Sequence, residues 1–164
     1  ERRREAMELM GHAYQHHMKG DIERAIELYD RSIETFATPE AFTFRGWARS
    51  ARCDFEGAIA DCHQAIDLDP EFGNPYNDIG AYTLEMGQPE DAIPWLQMAL
   101  KAQRHEGQHF PHYNLGRAHE ALGRLEAALE HYRLALAENP GYALARKAIE
   151  RVQRRLAAHS SDSR

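Results

Sequence analysis

Residues Gly123–Pro140, GRLEAALEHYRLALAENP, carry the pattern that decides the fold. After Gly123, apolar side chains recur every three or four residues, which is the spacing of one face of an α-helix. These side chains are Leu125, Ala128, Leu129, Tyr132, Ala135 and Leu136. Gly123 lies where a turn would precede the helix, and Pro140 lies just beyond its end. The stretch therefore predicts one amphipathic helix of about fourteen residues.

The same pattern occurs four times along the chain. An alanine followed by isoleucine or leucine recurs at intervals of 33, 34 and 36 residues. The four pairs are Ala25-Ile26, Ala58-Ile59, Ala92-Ile93 and Ala128-Leu129. Turn positions keep the same phase at Gly20, Cys53, Gly87 and Gly123, and small residues do so at Ala13, Gly46, Gly80 and Gly116. A period of this length indicates an array of structural repeats.

Each repeat predicts two helices, because a second apolar stretch with helical spacing precedes each turn. A helical hairpin of this size has an apolar side that it cannot bury alone, so neighbouring hairpins are expected to stack. Gly116 is expected to face Ala128 and Ala135 and to let two helix backbones approach closely. The sequence thus predicts an all-α chain built from stacked helical hairpins.

The fourth repeat shows a motif that can be compared with known repeats. It reads His112-x2-Leu115-Gly116-x2-His119, then Ala128-x3-Tyr132, then Pro140. This order and spacing resembles the tetratricopeptide repeat, whose signature is W-x2-L-G-x2-Y, A-x3-F and P. The resemblance covers about residues 6–142 and implies a right-handed superhelical solenoid of four hairpins in a single domain over residues 1–158. The expected repeats span about residues 6–38, 39–72, 73–106 and 109–142.

The residues after Pro140 have a different pattern. One apolar stripe runs along an otherwise charged stretch, which is typical of a terminal helix that covers the last hairpin. We predict such a capping helix over about residues 142–157 and a disordered tail over residues 159–164.

The resemblance also implies a concave groove, lined by the first helix of each hairpin, in which such proteins bind peptides or protein segments. The site residues predicted on this basis are Met7, Met10, Tyr14, His17, Met18, Trp47, Asn74, Asn77, Phe110, Tyr113 and Arg117. Flexible methionine and rigid aromatic side chains are typical of adaptable apolar recognition surfaces, and Asn74 and Asn77 could pair with a peptide backbone. Filling of gaps between neighbouring first helices is the structural alternative for the Met and Tyr side chains.

The best known subfamily of these repeats binds the C-terminal carboxylate of chaperones through Lys, Asn and Arg side chains. The matching positions in this chain are Met10, Tyr14, Phe44, Asn74 and Asp78. They do not supply the required side chains, and Asp78 has the wrong charge for a carboxylate partner. We therefore do not expect this groove to bind chaperone tails.

The composition narrows the classes of partner. The chain of 164 residues has a net charge of −6 and a sequence pI near 5.9, which disfavours binding to nucleic acid or to an anionic membrane.

The chain contains no catalytic or phosphate-binding motif, so we predict neither enzymatic activity nor a cofactor. Cys53 and Cys62 are expected to be reduced thiols, which favours a cytoplasmic location and leaves a periplasmic one open. Because the chain begins with Glu1 rather than Met, we expect it to be a piece of a longer protein.

Residues Arg104–Gly116, RHEGQHFPHYNLG, hold three histidines, His105, His109 and His112. A three-histidine metal site would require the loop to fold His105 back onto the start of the next helix. The repeat phase instead places His105 in a flexible insertion and His112 at the hairpin interface. We therefore predict that no metal binds here, and that Phe110 and Tyr113 are the functional residues of this stretch.

Two polar or irregular positions have structural interpretations. Arg45 stands where the repeat pattern prefers leucine, and we predict that it pairs with Asp61 on the partner helix of the same hairpin. Pro94 lies inside a predicted helix, where it would act either as a hinge or as a tolerated bend on the outer face.

Two functions from different classes remain open. In the first, the chain is a non-catalytic adaptor whose groove binds an apolar or aromatic segment of another protein. In the second, it is a structural or docking domain of a larger protein that associates with itself, which would make a homo-oligomer.

Overall fold

The computed structural model describes all 164 residues and contains nine α-helices joined by short loops. The helices are α1 (Arg2–Met18), α2 (Ile22–Thr35), α3 (Pro39–Ala51), α4 (Phe55–Leu68), α5 (Asn74–Glu85), α6 (Pro89–Lys101), α7 (His109–Ala121), α8 (Leu125–Glu138) and α9 (Ala143–Asp162). The first eight form four hairpins, in each of which the two helices pack most extensively against each other. The predicted all-α array of four hairpins and a terminal helix is confirmed.

The hairpins stack in chain order. The second helix of each hairpin packs against the first helix of the next, and α9 packs against α8. The first helices also contact one another directly, α1 with α3, α3 with α5 and α5 with α7. Successive second helices are not packed this closely, so α1, α3, α5 and α7 lie on the inner side of the curved array.

The turn within each hairpin uses a residue with a left-handed backbone. Gly20, Gly87 and Gly123 have φ angles of 84°, 77° and 75°, and Cys53 has a φ of 60° at the equivalent place in the second hairpin. These are the four turn positions that the repeat phase predicts. Glycine adopts this region without steric cost, whereas Cys53 carries a side chain there.

Small residues let the helices of one hairpin approach closely. The Tyr132 ring of α8 lies across Gly116 of α7, so that a Cβ at Gly116 would overlap the ring. Gly80 of α5 faces Leu96 of α6 in the same way. The close approach at Gly116 was predicted, but its nearest neighbour is the buried Tyr132 rather than an alanine, because the ring fills the space that the missing side chain leaves.

The ion pair predicted between Arg45 and Asp61 is confirmed. Arg45 Nη2 lies 2.6 Å from Asp61 Oδ1, and Arg45 Nε donates to Asp61 Oδ2 at 3.0 Å. Arg49 adds a contact of 2.9 Å to the same carboxylate, and Asp30 of the first hairpin lies 2.8 Å from Arg45 Nη1. The network therefore compensates a buried charge and joins the first two hairpins.

Pro94 is exposed and lies inside α6, which continues from Pro89 to Lys101. The helix therefore accommodates the missing backbone donor without ending, as the interpretation of a tolerated bend on the outer face requires.

The terminal helix is longer than the sequence suggested. Instead of stopping near residue 157 before a disordered tail over residues 159–164, α9 continues to Asp162. At this end of the helix the hydroxyl groups of Ser160, Ser161 and Ser163 donate to carbonyls four residues earlier at 3.0 to 3.1 Å. Neither α9 nor any other helix combines the length and apolarity that crossing a membrane requires.

Candidate functional site

The inner surface of the array carries exposed apolar side chains. Each of these is between 41% and 55% exposed, although a large apolar side chain gains free energy from burial. They are Met7, Tyr14 and Met18 on α1, Trp47 on α3 and Phe110 on α7. We call the surface of α1, α3, α5 and α7 that bears them the groove.

Aromatic contacts between α1 and α3 fix one end of the groove. The Phe44 ring centroid lies 5.6 Å from that of Tyr14 and 6.4 Å from that of Trp47. His17 was predicted to face a partner, but it is buried, with its ring centroid 4.3 Å from that of Trp47. Its Nδ1 lies 3.4 Å from Tyr29 Oη, and burial lowers the pKa of His17. The buried His17 ring therefore packs against the Trp47 ring.

A cavity of about 490 Å³ opens farther along the groove, between α3, α5 and the start of α7. We call it the groove cavity. Its lining includes Glu40, Thr43, Phe44 and Trp47 of α3, Asn74, Asn77 and Asp78 of α5, and Phe72, His105, Glu106 and Phe110 from the loops and from α7. Four predicted site residues therefore line one cavity, namely Trp47, Asn74, Asn77 and Phe110.

The loop between α6 and α7 is held against the loop between α4 and α5. Gly73 N donates to Arg104 O at 2.7 Å, and Arg104 N donates to Glu71 O at 2.9 Å. The Arg104 guanidinium lies 3.9 Å from the Phe72 ring centroid, and its Nη2 lies 2.7 Å from Asp69 Oδ2. The hydrogen bond from the Arg104 side chain lowers the pKa of Asp69. The sequence suggested a flexible insertion here, whereas these contacts give the loop defined partners and make it one wall of the groove cavity.

A chain of polar contacts joins α5 to α7 beside the groove cavity. Asn114 Nδ2 donates to Asn77 Oδ1 at 3.0 Å, and Asn77 Nδ2 donates to Asp78 Oδ1 at 3.3 Å. Arg117 donates to Asn114 Oδ1 at 3.1 Å and pairs with Glu85 at 2.8 Å. The oxygen of Asn77 and the guanidinium of Arg117 thus have internal partners, and Asn114 is a positioning residue that the sequence did not predict.

Two predicted site residues contribute more to packing than to the exposed groove surface. Met10 packs against the core cluster of the first hairpin. The Tyr113 ring centroid lies 5.5 Å from that of Tyr132 and 5.4 Å from that of Tyr142, beside the core under α9. Met10 and Tyr113 therefore pack inside the array, which agrees with the structural alternative given for the Met and Tyr side chains.

Asp78 is the residue of the groove cavity that sequence reasoning missed. It is partly buried, and burial raises its pKa to about 7. The hydrogen bond from Asn77 opposes this shift only in part. The sequence comparison treated Asp78 only as a mismatch to a carboxylate-binding site. Its position beside the predicted groove residue Asn77 was therefore overlooked.

The three histidines of residues Arg104–Gly116 have separate neighbours. His105 Nε2 lies 3.0 Å from Gln108 Nε2, and the His109 ring centroid lies 4.9 Å from that of Tyr142. His112 packs toward α8, at the hairpin interface where the repeat phase placed it. No group of three His, Cys, Asp or Glu side chains has the geometry to hold a metal ion.

Comparison with known proteins identifies the repeat. Two family models described as tetratricopeptide repeat match residues 8–31 and 71–137. The heat shock protein STI1 of Saccharomyces cerevisiae is 28% identical over 83 residues, which cover 49% of this chain and 14% of that protein. The protein bimA of Emericella nidulans is 26% identical over 78% of this chain and 16% of its own length. The chain thus spans less than a fifth of the length of these relatives.

Solved structures share the fold at low sequence identity. A structure of pilF from Pseudomonas aeruginosa has a TM-score of 0.87 at 15% identity and covers 98% of this chain and 73% of that chain. YrrB, described as a TPR protein with an unusual peptide-binding site, has a TM-score of 0.65 at 22% identity, covering 90% of this chain and 75% of that chain. These likenesses show the fold. The two family matches, which together cover more than half of the chain, show that the chain belongs to the tetratricopeptide repeat family.

Proposed function

We propose that this chain is a non-catalytic protein-interaction module whose groove captures an apolar or aromatic segment of a partner protein. Tetratricopeptide repeats are known as protein-interaction modules. The observation that carries the proposal is the group of exposed apolar side chains on the first helices, Met7, Tyr14, Met18, Trp47 and Phe110. Covering them with a partner removes apolar surface from water, a gross gain of roughly 25 cal/mol for each Å² before the entropy cost of association.

The support for a peptide segment comes from how the aromatic side chains are held. The Trp47 ring packs against His17, and the Tyr14 ring packs against Phe44. Both rings are therefore positioned before a partner binds. A positioned ring loses little conformational freedom on binding. Met7 and Met18 can adjust to the shape of a partner. The peptide-binding site recorded for YrrB, which has the same fold, adds support.

The proposal can be tested by selecting peptides from a random display library on the whole chain. We expect the selected peptides to share apolar or aromatic positions. Combining Tyr14→Ala with Trp47→Ala should weaken their binding, measured by calorimetry, by about tenfold or more, because buried aromatic side chains dominate such interfaces. The matched control combines Met98→Ala with Leu134→Ala, which removes exposed apolar side chains from the second helices α6 and α8.

Unchanged affinity in the groove variant, or an equal loss in the control variant, would contradict the assignment of the groove. Light scattering over a dilution series addresses self-association. A concentration-dependent dimer that the Tyr14 and Trp47 substitutions abolish would show that the groove binds a second copy of the chain instead.

A further inference from the structure

The groove cavity differs in charge from the rest of the groove. Glu40, Asp78 and Glu106 line it with three carboxylates, and none of its lining residues is a lysine or an arginine. His105 also lines it, with Nε2 3.0 Å from Gln108 Nε2. The lining therefore carries three carboxylates and no lysine or arginine.

Asp78 is a partly buried carboxylate with little internal compensation. Its one hydrogen bond comes from Asn77 Nδ2 at 3.3 Å, and no basic side chain pairs with it. Asn77 is itself engaged by Asn114, whose Nδ2 donates to Asn77 Oδ1. An ionised carboxylate that is partly buried without a cation is unfavourable. A cation placed beside Asp78 would remove this cost.

The other two carboxylates lie on the walls of the same cavity. The backbone N–H of Glu106 donates to Asn74 Oδ1 at 3.2 Å, which holds Glu106 against α5, and its carboxylate forms no ion pair. Glu40 lies 3.0 Å from Arg104 Nη1, but the same guanidinium also pairs with Asp69 at 2.7 Å. Arg104 is thus shared between Glu40 and Asp69. The lining therefore has more carboxylates than cations to pair with them.

The apolar part of the cavity wall is mainly aromatic. Phe44, Trp47, Phe72 and Phe110 line it, together with Ala99 and Pro111. The face of an aromatic ring attracts a cation, and arginine is the usual partner. The chain holds one such arrangement internally, because Arg104 lies 3.9 Å from the Phe72 ring centroid while it pairs with Asp69.

We propose that the groove cavity binds an arginine side chain of the captured partner segment, with its guanidinium between Asp78 and the aromatic walls. The inference rests on the proposed function, because it assigns the chemistry of one position in that segment. The cavity of about 490 Å³ has the size of a site for a small ligand, which accommodates one side chain and its flanking backbone. A guanidinium fits better than an ammonium group, since it stacks on aromatic rings and donates two hydrogen bonds to one carboxylate.

Other occupants match the lining less well. A carboxylate or phosphate group would meet three carboxyl groups and no lysine or arginine in the lining. An apolar side chain would displace the remaining water from Asp78 without donating a hydrogen bond. An arginine side chain satisfies the aromatic and the acidic parts of the lining together.

The test is a two-dimensional ¹H–¹⁵N NMR titration of the whole chain with N-acetyl-arginine N-methylamide. We expect saturable shifts of the Trp47 indole signal and of the backbone amides of Gly73 and Gly107. The citrulline analogue, which has nearly the same shape and no charge, should bind at least about fivefold more weakly. Asp78→Asn should weaken the arginine compound by a similar factor. Asp67→Asn, which removes an exposed carboxylate of α4 outside the cavity, should leave its binding unchanged.

A second variant, Glu106→Gln, keeps the proposal testable if Asp78→Asn fails to fold, and it should weaken binding about twofold. Equal binding of the arginine and citrulline compounds, or wild-type affinity in both carboxylate variants, would overturn the proposal. If this happened while library peptides still required Tyr14 and Trp47, the groove function would stand and the arginine site alone would fail. If, in addition, library peptides bound equally well without Tyr14 and Trp47, the groove function would fail as well.

Discussion

Cys53 occupies the turn position that the other three hairpins fill with glycine. Its φ of 60° lies in the region where a side chain costs about 1 kcal/mol. We expect Cys53→Gly to raise the free energy of unfolding, measured by urea denaturation, by about 0.5 kcal/mol. Gly87→Ala is the reverse control, at a φ of 77° with open space around the added methyl group. A change of the same sign in both variants would contradict the assignment of strain.

Asp78 makes stability depend on pH in a direction that follows from its burial. Because burial raises the pKa of Asp78 from 3.8 to about 7, the folded chain binds this proton more tightly than the unfolded chain does. The cost of ionising Asp78 therefore grows as the pH rises from about 4 to 7 and is complete above that range. We expect Asp78→Asn to raise the free energy of unfolding by roughly 1–3 kcal/mol at pH 8.

The gain from Asp78→Asn should disappear near pH 4, where the wild-type carboxyl is protonated in the folded chain. Asp67→Asn, on an exposed position, is the control at both pH values. A gain of equal size at pH 4 and pH 8 would show that ionisation of Asp78 is not its cause.

At the residue scale, the sequence predicted exposure where the repeat pattern requires it. Trp47 and Phe110 are exposed on the inner helices as expected. His17 was misplaced because its burial depends on where the Trp47 ring of the next hairpin lies, which repeat phase does not specify. Asp78 was missed because it was compared only with a carboxylate-binding position and is not one of the groove positions that the resemblance implies.

At the scale of helices, three histidines meet between α7 and α8. His131 of α8 lies between His112 and His119 of α7, with ring centroids 6.2 Å and 5.2 Å away. The Nδ1 atom of each ring is buried without a hydrogen-bond partner. Burial lowers the pKa of all three, and for His131 the neighbouring histidines lower it further. The charged residues that influence them are Glu90, Arg124, Glu130 and Glu138.

This histidine stack predicts acid sensitivity. A lowered pKa means that the unfolded chain binds protons more readily, so the stability present above pH 6.5 is lost as the pH falls below it. We expect His131→Leu to reduce the loss of unfolding free energy between pH 7.5 and pH 5 by about 1 kcal/mol. The exposed His159→Gln is the control in the same thermal or urea titration. A pH dependence that His131→Leu leaves unchanged would contradict this origin.

The helices themselves could be predicted because an apolar stripe and a turn residue determine each of them locally. The groove cavity could not be predicted, because two inter-repeat loops close it. Their pairing through Gly73 and Arg104 joins residues 31 positions apart and has no signature in the repeat. The stretched period at residues 104–108 marked an irregular loop without indicating what the loop contacts. The end of α9 could not be placed because the helix continues past the last residue of its apolar stripe, Leu156.

At the scale of the whole molecule, the groove combines two chemical regions. The end formed by α1 and α3 is apolar and aromatic, through Met7, Tyr14, Met18 and Trp47. The groove cavity between α3, α5 and α7 is acidic, with Trp47 shared by both regions. A partner segment that pairs apolar side chains with a nearby arginine would therefore complement the whole inner surface.

The central claim is that a peptide binds along the inner surface of the array. A library-selected peptide with a nitroxide label at one end tests this most directly, through the broadening of assigned amide signals in the whole chain. We predict that the label broadens signals from α1, α3, α5 and α7 and leaves the exposed faces of α2, α4, α6 and α8 unaffected. Broadening confined to the second helices or to α9 would contradict the account.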